Sequence, residues 1–370
     1  MRRSTPISSR PCRRGRSHCA ESSGRARSAG PLRRRRAVAD VYRIFGAEPS
    51  PYSVKVRSYF RYKQIPHEWI TRDVNTQAEF QKFAKLPLIP AVATPSGEGL
   101  QDSTPILEKL ELLFPEPSIH PEDPVLRFLS ALLEEFGDEW GNKWMFHYRW
   151  ARDVDQAAAS EFIARTMMPD LSGEELAGAA AGIRERMVKR VWFVGSSEQT
   201  APAIEESYRD ALAILEAHLA RRPFLFGGRP AFGDFGLWAQ LYECGTDPTP
   251  GGILRERAPS VAAWVERMQE PELVGPFEAR EALLPTLLPL LERQVGRLFL
   301  PWSDANARAI SEGRDLFSVD LAGKAWTQKP QKYHARSLAE LRRRYTSVPD
   351  RSTLDPILER SGCLRWLRGA

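Results

Sequence analysis

The chain has 370 residues, 42% of them hydrophobic and 27% charged, a composition with room for two domains and an ample core. No apolar run approaches the roughly 18 residues of a spanning helix, so a transmembrane helix is excluded. The formal charge of +6 is misleading: twelve arginines and one acid, Glu21, crowd residues 1–36, and removing them from 53 basic and 47 acidic residues leaves 41 and 46, a net of −5. The body is mildly acidic, and no nucleic-acid partner is expected.

Residues 1–40 are rich in Arg, Ser, Pro and Gly and read as a disordered basic tail. Three readings stay open: a leader without function, an organelle transit peptide, or a basic arm for nucleic acid or acidic membrane. Pro6, Pro11, Gly15, Gly24 and Gly30 oppose an amphipathic helix there, and no secretory hydrophobic region occurs. The cysteines Cys12, Cys19, Cys244 and Cys363 form no C-x-x-C pair, so neither a disulfide framework nor a zinc site is expected. A reducing compartment fits, which means the cytoplasm, or an organelle matrix if residues 1–36 are a transit peptide.

Residues 41–45 form a short β-like run that turns through Ser50-Pro51-Tyr52-Ser53 into a helical stretch, where Val54, Val56, Tyr59 and Phe60 can face a sheet. Such a turn gathers backbone N–H groups and a hydroxyl at one point, a setting for an anion such as a thiolate. Residues 67–71 read as a second strand, 76–85 as a polar helix, and 86–94 as a third strand entered through proline. A hairpin turn at 95–99 leads to a short strand at 100–101, and Asp102-Ser103 opens a helix to Phe114. This order, βαβ, α, ββ, α, is that of a thioredoxin-like domain at residues 41–114. The proline-rich stretch 115–121 is a linker. Helical periodicity then dominates 122–272, beginning with a helix to about Arg152, and continues through an extension at 273–370 broken or kinked at Pro285 and Pro289. The fold class is α+β, with an all-α second domain.

The motif S-P-Y-S-x-K-V-R at Ser50–Arg57, the Ile89-Pro90 pair before a hairpin, and Asp102-Ser103 together resemble the cytosolic glutathione S-transferases, in particular the serine-type tau and zeta enzymes. The resemblance covers residues 41 to about 268 and implies glutathione as co-substrate, a small apolar electrophile, no metal or redox cofactor, a role in detoxification and, in many members, a homodimer. A long extension could block the usual dimer interface. It also implies site roles. Ser50 would be catalytic, its hydroxyl donating to the glutathione sulfur, with Ser53 the runner-up. Ile89 would pair its backbone with the cysteinyl unit ahead of a cis-Pro90, with Pro87 as a rival. Asp102 and Ser103 would hold the γ-glutamyl end, although the family usually has Glu or Gln at 102. Lys82 or Lys85 is a candidate for the glycyl carboxylate.

Plain structural readings stand beside these. Ser50 before Pro51 fits a helix N-cap and its first residue, and Asp102-Ser103 fits a cap. Phe136, Trp140, Trp144 and Tyr148, spaced i, i+4, read more readily as core than as pocket lining. His147 and Arg149 flank them as surface residues. Asp234, in Pro230-x-x-x-Asp234, resembles the family's buried helix-capping aspartate, here with Ala231 and Gly233 weakening the capping box. A non-catalytic binding or assembly module is the alternative to an enzyme.

Overall fold

The computed structural model describes residues 40–369, so the expectations for the basic tail fall outside the described residues, Asp40 excepted. The first domain comprises β1 (Tyr42–Gly46), α1 (Pro51–Tyr62), β2 (His67–Thr71), α2 (Gln77–Phe80), β3 (Ala91–Ala93), β4 (Gly99–Gln101) and α3 (Ser103–Leu113). The sheet runs β2-β1-β3-β4, parallel between β1 and β2 and antiparallel elsewhere. Alternation along β1 sets its two faces: Tyr42 and Ile44 join Val56, Phe60 and Leu107 on the α1/α3 side, while Phe45 packs with Phe80, Ala91 and Ala93 on the other. The polar helix predicted over 76–85 is only four residues long. The third strand is likewise only three residues, because residues 86–90 form a loop instead, exposed at 86–88 and turning inward to buried Pro90.

The second domain starts with α4 (Pro124–Phe136), which continues through a wide π-type turn, Gly137–Gly141, into α5 (Asn142–Ala151). Asp123 caps α4 by accepting from Val125 N at 2.8 Å. Then come α6 (Asp153–Met167), α7 (Gly173–Val188), α8 (Ala201–Leu219), α9 (Phe232–Thr246), α10 (Pro248–Arg257) and α11 (Pro259–Arg267). The domain is built on the crossing of α4 and α9. A Cβ on Gly233 would sit 2.7 Å from Ser130 O, and one on Gly236 2.6 Å from Glu134 O, so both glycines permit the close approach. That approach also repairs the weakened cap of α9. Ala231 has no side-chain acceptor, but Ser130 Oγ of α4 accepts from Gly233 N at 2.9 Å. Buried Asp234 accepts from Ala231 N, Leu225 N and the Trp264 indole at 2.8–3.0 Å.

The extension is not wholly helical. It has α12 (Arg280–Leu290), a second wide-turn segment Leu291–Phe299, α13 (Leu300–Ser311), a hairpin of β5 (Phe317–Leu321) and β6 (Lys324–Gln328), then α14 (Lys332–Ser347), α15 (Leu354–Arg360) and α16 (Leu364–Arg368). Helix α12 continues through both Pro285 and Pro289, and the wide turns follow directly after them. The hairpin turns through Ala322 and Gly323, at φ 54° and 83°. The extension packs on α4, α8 and α5 rather than standing apart: Phe299, Trp302 and Trp326 meet Phe136 and Trp140 with ring centroids 5.5–6.0 Å apart.

Candidate active site

Strand register brings the predicted site segments to one end of the sheet. Phe45 of β1 pairs with Ala91, and Ala91 with Gln101. Because β1 and β4 end where β3 begins, the Ser50 turn, Ile89-Pro90 and Asp102-Ser103 all leave from the same edge. Helix α1 then reaches α3 directly, through Lys55 to Thr104 at 3.0 Å and Ser103 at 3.5 Å.

Ser50 is the N-cap of α1, with extended backbone, and Pro51 takes the first helical position. Its Oγ accepts from Ser53 N at 3.4 Å and from Ser53 Oγ at 3.0 Å. Those bonds use Ser50 as an acceptor, and among the described residues its own proton has no acceptor. Ser53 is fully buried and spends its hydroxyl on Ser50. Tyr52 donates to the carbonyl of Asp138 at 3.1 Å and offers nothing at the helix end.

Pro90, not Pro87, follows a cis peptide bond. Among the described residues the Ile89 N–H and C=O have no hydrogen-bond partner. The loop before it is held by Gln101, whose Oε1 accepts from Lys85 N and Leu86 N at 3.1 and 3.0 Å and whose Nε2 donates to Leu86 O and Leu88 O at 2.8 and 2.6 Å. Lys82 and Lys85 are both exposed.

Asp102 lies at φ 78°, ψ 126°, a conformation costly for any residue with a Cβ. Its carboxylate accepts from the Tyr333 hydroxyl of α14. Burial raises its pKa, opposed by Tyr333 and Lys55. Ser103 is buried, and its Oγ faces Lys55 rather than the sheet edge. Lys55 is the hub beneath: fully buried, it pairs with Glu134 and with Asp138 Oδ2, the latter at 2.6 Å. Burial opposes its charge, but Asp138 and Glu134 outweigh burial and its pKa is raised. Burial pushes the Asp138 carboxyl up to about 7, against the pull of Lys55.

The second domain fixes the turn that carries Ser50. Arg149 donates to Pro49 O at 3.1 Å and is itself paired with Glu243 and Asp247, both at 2.8 Å. Glu48 accepts from Arg57 at 2.5 and 2.8 Å and from Tyr242 at 2.8 Å. Arg149 and His147, expected at the surface, are therefore corrected: both are buried. His147 contacts Ser196 and Glu205 at 2.8 and 3.4 Å, because α8 and the segment leading into it close over this side of α5.

Residues 49–113 match the family model described as glutathione S-transferase, N-terminal domain, and residues 198–267 match glutathione S-transferase, C-terminal domain. The chain belongs to the glutathione S-transferase superfamily. Solved structures similar to it include a Tau class glutathione S-transferase from mango, Mangifera indica, at 18% identity and TM-score 0.38, covering 68% of this chain and 98% of that one. A second is the β-etherase LigF from Sphingobium sp. strain SYK-6, at 21% identity and TM-score 0.42, covering 66% and 98%. A third is a glutathione S-transferase from Methylobacterium radiotolerans in complex with glutathione sulfonate, at 23% identity and TM-score 0.36, covering 66% and 94%. No curated protein matches the chain.

Outside the two matched segments lie residues 114–197 between them, which hold α4 to α7, and the extension after them. Phe136, Trp140, Trp144 and Tyr148 are fully buried and line no cleft, since Trp140 and Trp144 both donate to Ser207 Oγ at 2.9 Å and the extension covers the row. Sequence reading missed Gln101, Lys55 and Tyr333. Lys55 had a signal: a lysine flanked by Val54 and Val56 on a helix that must bury one face. Tyr333 had none, because only the fold brings it to a residue 231 positions away. No helix of the described residues is long and apolar enough to cross a membrane.

Proposed function

We propose that the protein is a glutathione-dependent transferase that presents glutathione as its thiolate to a small apolar electrophile. The observation that carries this reading is the convergence, at one sheet edge, of a serine hydroxyl and an Ile89 backbone that, among the described residues, have no acceptor and no partner, with the strained Asp102. Ser50 donates its proton to the sulfur at the N-terminus of α1, and both the hydrogen bond and the helix dipole favour the anion. The thiol proton leaves to solvent, and the sulfur forms its bond to the electrophilic carbon while the displaced group departs. Ile89 pairs with the cysteinyl backbone, Asp102 meets the γ-glutamyl ammonium, and the N-terminus of α3 at Ser103 receives its carboxylate. Ser50 stands where a mixed-disulfide enzyme needs a cysteine, so the reading uses no redox step and no metal. A cytoplasmic detoxifying role goes with it.

A second reading, a non-catalytic module, is favoured by one observation: Tyr333 already hydrogen-bonds Asp102. Calorimetric titration with glutathione, combined with thiolate absorbance against pH, separates the two. The wild type is expected to bind and to lower the thiol pKa by about one to two units from roughly 8.5. Ser50→Ala is expected to bind without lowering it. No binding by the wild type at millimolar glutathione refutes the transferase.

A further inference from the structure

Asp102 is read above as the partner of a ligand ammonium, yet it already has one partner from the far end of the chain. The Tyr333 hydroxyl lies 3.1 Å from Asp102 Oδ2 and 3.3 Å from Oδ1, one proton shared between two oxygens. A carboxylate has about four lone-pair sites, so a single phenol leaves acceptor capacity for an ammonium. Helix α14 is not loosely placed. Its buried Leu338, Leu341 and Tyr345 pack into the main core, and the His334 ring stands edge-on to Trp302 at 4.9 Å. Ser337 donates to Glu139 at 3.0 Å, and Arg344 pairs with Glu108 of α3, the helix that begins directly after Asp102. Tyr333 is therefore delivered to Asp102 by a fixed element, although the residue itself is 52% exposed.

We propose that Tyr333 is a positioning residue of the glutathione site: its phenol orients the Asp102 carboxylate toward the γ-glutamyl ammonium, so that the C-terminal extension completes a site otherwise built from the first domain. This rests on the glutathione reading. The hydrogen bond does two things for that carboxylate. It removes rotational freedom from a side chain whose backbone is already held at positive φ. It also stabilises the ionised form where burial and Glu134 work against it, and only the ionised form attracts an ammonium.

The test uses the full chain as wild type, Tyr333→Phe, Asp102→Asn and the double variant. Each is titrated calorimetrically with glutathione and with its des-amino analogue, and denaturant midpoints check folding. Tyr333→Phe is expected to weaken glutathione about tenfold, the scale of one charge-assisted hydrogen bond at a half-exposed site. It is expected to leave the des-amino analogue unchanged and to cost nothing further in the Asp102→Asn background. In turnover, it raises KM for glutathione and leaves kcat. If the wild type binds no glutathione, the transferase reading falls and this proposal with it. If the wild type binds and Tyr333→Phe binds equally well or more tightly, the transferase reading stands and Tyr333 is a bystander or an occupant of the site, which overturns the proposal alone.

Discussion

Replacing Lys55 with Met tests whether the buried charge cluster, rather than apolar packing alone, holds the two domains together at the site. Lys55 and Glu134 have side chains 0% and 1% exposed, and Asp138 completes the pair at 2.6 Å. Met fills nearly the same space, so the change removes a cation and leaves two carboxylates buried without one. Breaking a buried pair from one side costs about 3–5 kcal/mol. The loss should depend on pH. Without the cation, the pull of Lys55 on Asp138 is gone, and that carboxyl, which burial already pushes up to about 7, rises further. A group raised in the folded state contributes stability at low pH that is lost as pH rises through the folded value. The folded variant therefore holds more protons than the wild type near pH 7, and its deficit shrinks as pH falls toward 5. Urea unfolding followed by tryptophan fluorescence at both pH values measures the two free energies. A deficit below about 1 kcal/mol at pH 7, or one that does not shrink at pH 5, refutes the argument.

Two further perturbations follow from the same structure. Asp102→Gly and Asp102→Ala both remove the carboxylate, but only glycine is at ease at φ 78°, so the glycine variant should be more stable than the alanine variant by about 1–2 kcal/mol. Equal midpoints in denaturant would show that no strain is held there. Trp326→Ala should cost about 3–5 kcal/mol as a large buried side chain and should also open the enclosure of Lys143. The Lys143 ammonium lies 3.6 Å from the Trp302 ring centroid and 5.6 Å from those of Trp140 and Trp326, and its one hydrogen bond among the described residues goes to Val194 O. Mass spectrometry after amine acylation of the native protein should find Lys143 unmodified in the wild type and modified in the variant.

Much of the first domain was legible because its signals are local. Alternation in residues 41–45, Ser-Pro at a helix start and Asp-Ser after a hairpin each act within a few residues. The second domain was legible as periodicity, although α10 was hidden by the prolines and glycines of Pro248–Arg257, which serve there as helix start and close contact. The hairpin Phe317–Gln328 was missed despite its alternation and its Ala322-Gly323 turn, because it lies between helical stretches. What could not be read were dependencies between distant segments. Arg149 looked like a surface arginine until Glu243, Asp247 and Pro49 converged on it. Asp102 looked like a cap until α14 arrived. Burial of the aromatic row at Trp140 likewise needs Trp302 and Trp326, which lie beyond the segment that carries the family likeness.

That last arrangement separates two meanings of a domain boundary. The segments matching family models end at residue 267, and a protein cut there would keep every predicted site residue. It would also uncover the aromatic row of α4 and α5 and strip Ser207 of its acceptor, Gln294, 2.7 Å away. A contiguous aromatic surface on a folding intermediate invites self-association. During synthesis the two matched segments leave the ribosome before the elements that cover them. The family-sized part of this chain therefore does not close its own core: the last hundred residues supply the other half of an aromatic layer, so the boundary of the likeness and the boundary of the core fall in different places.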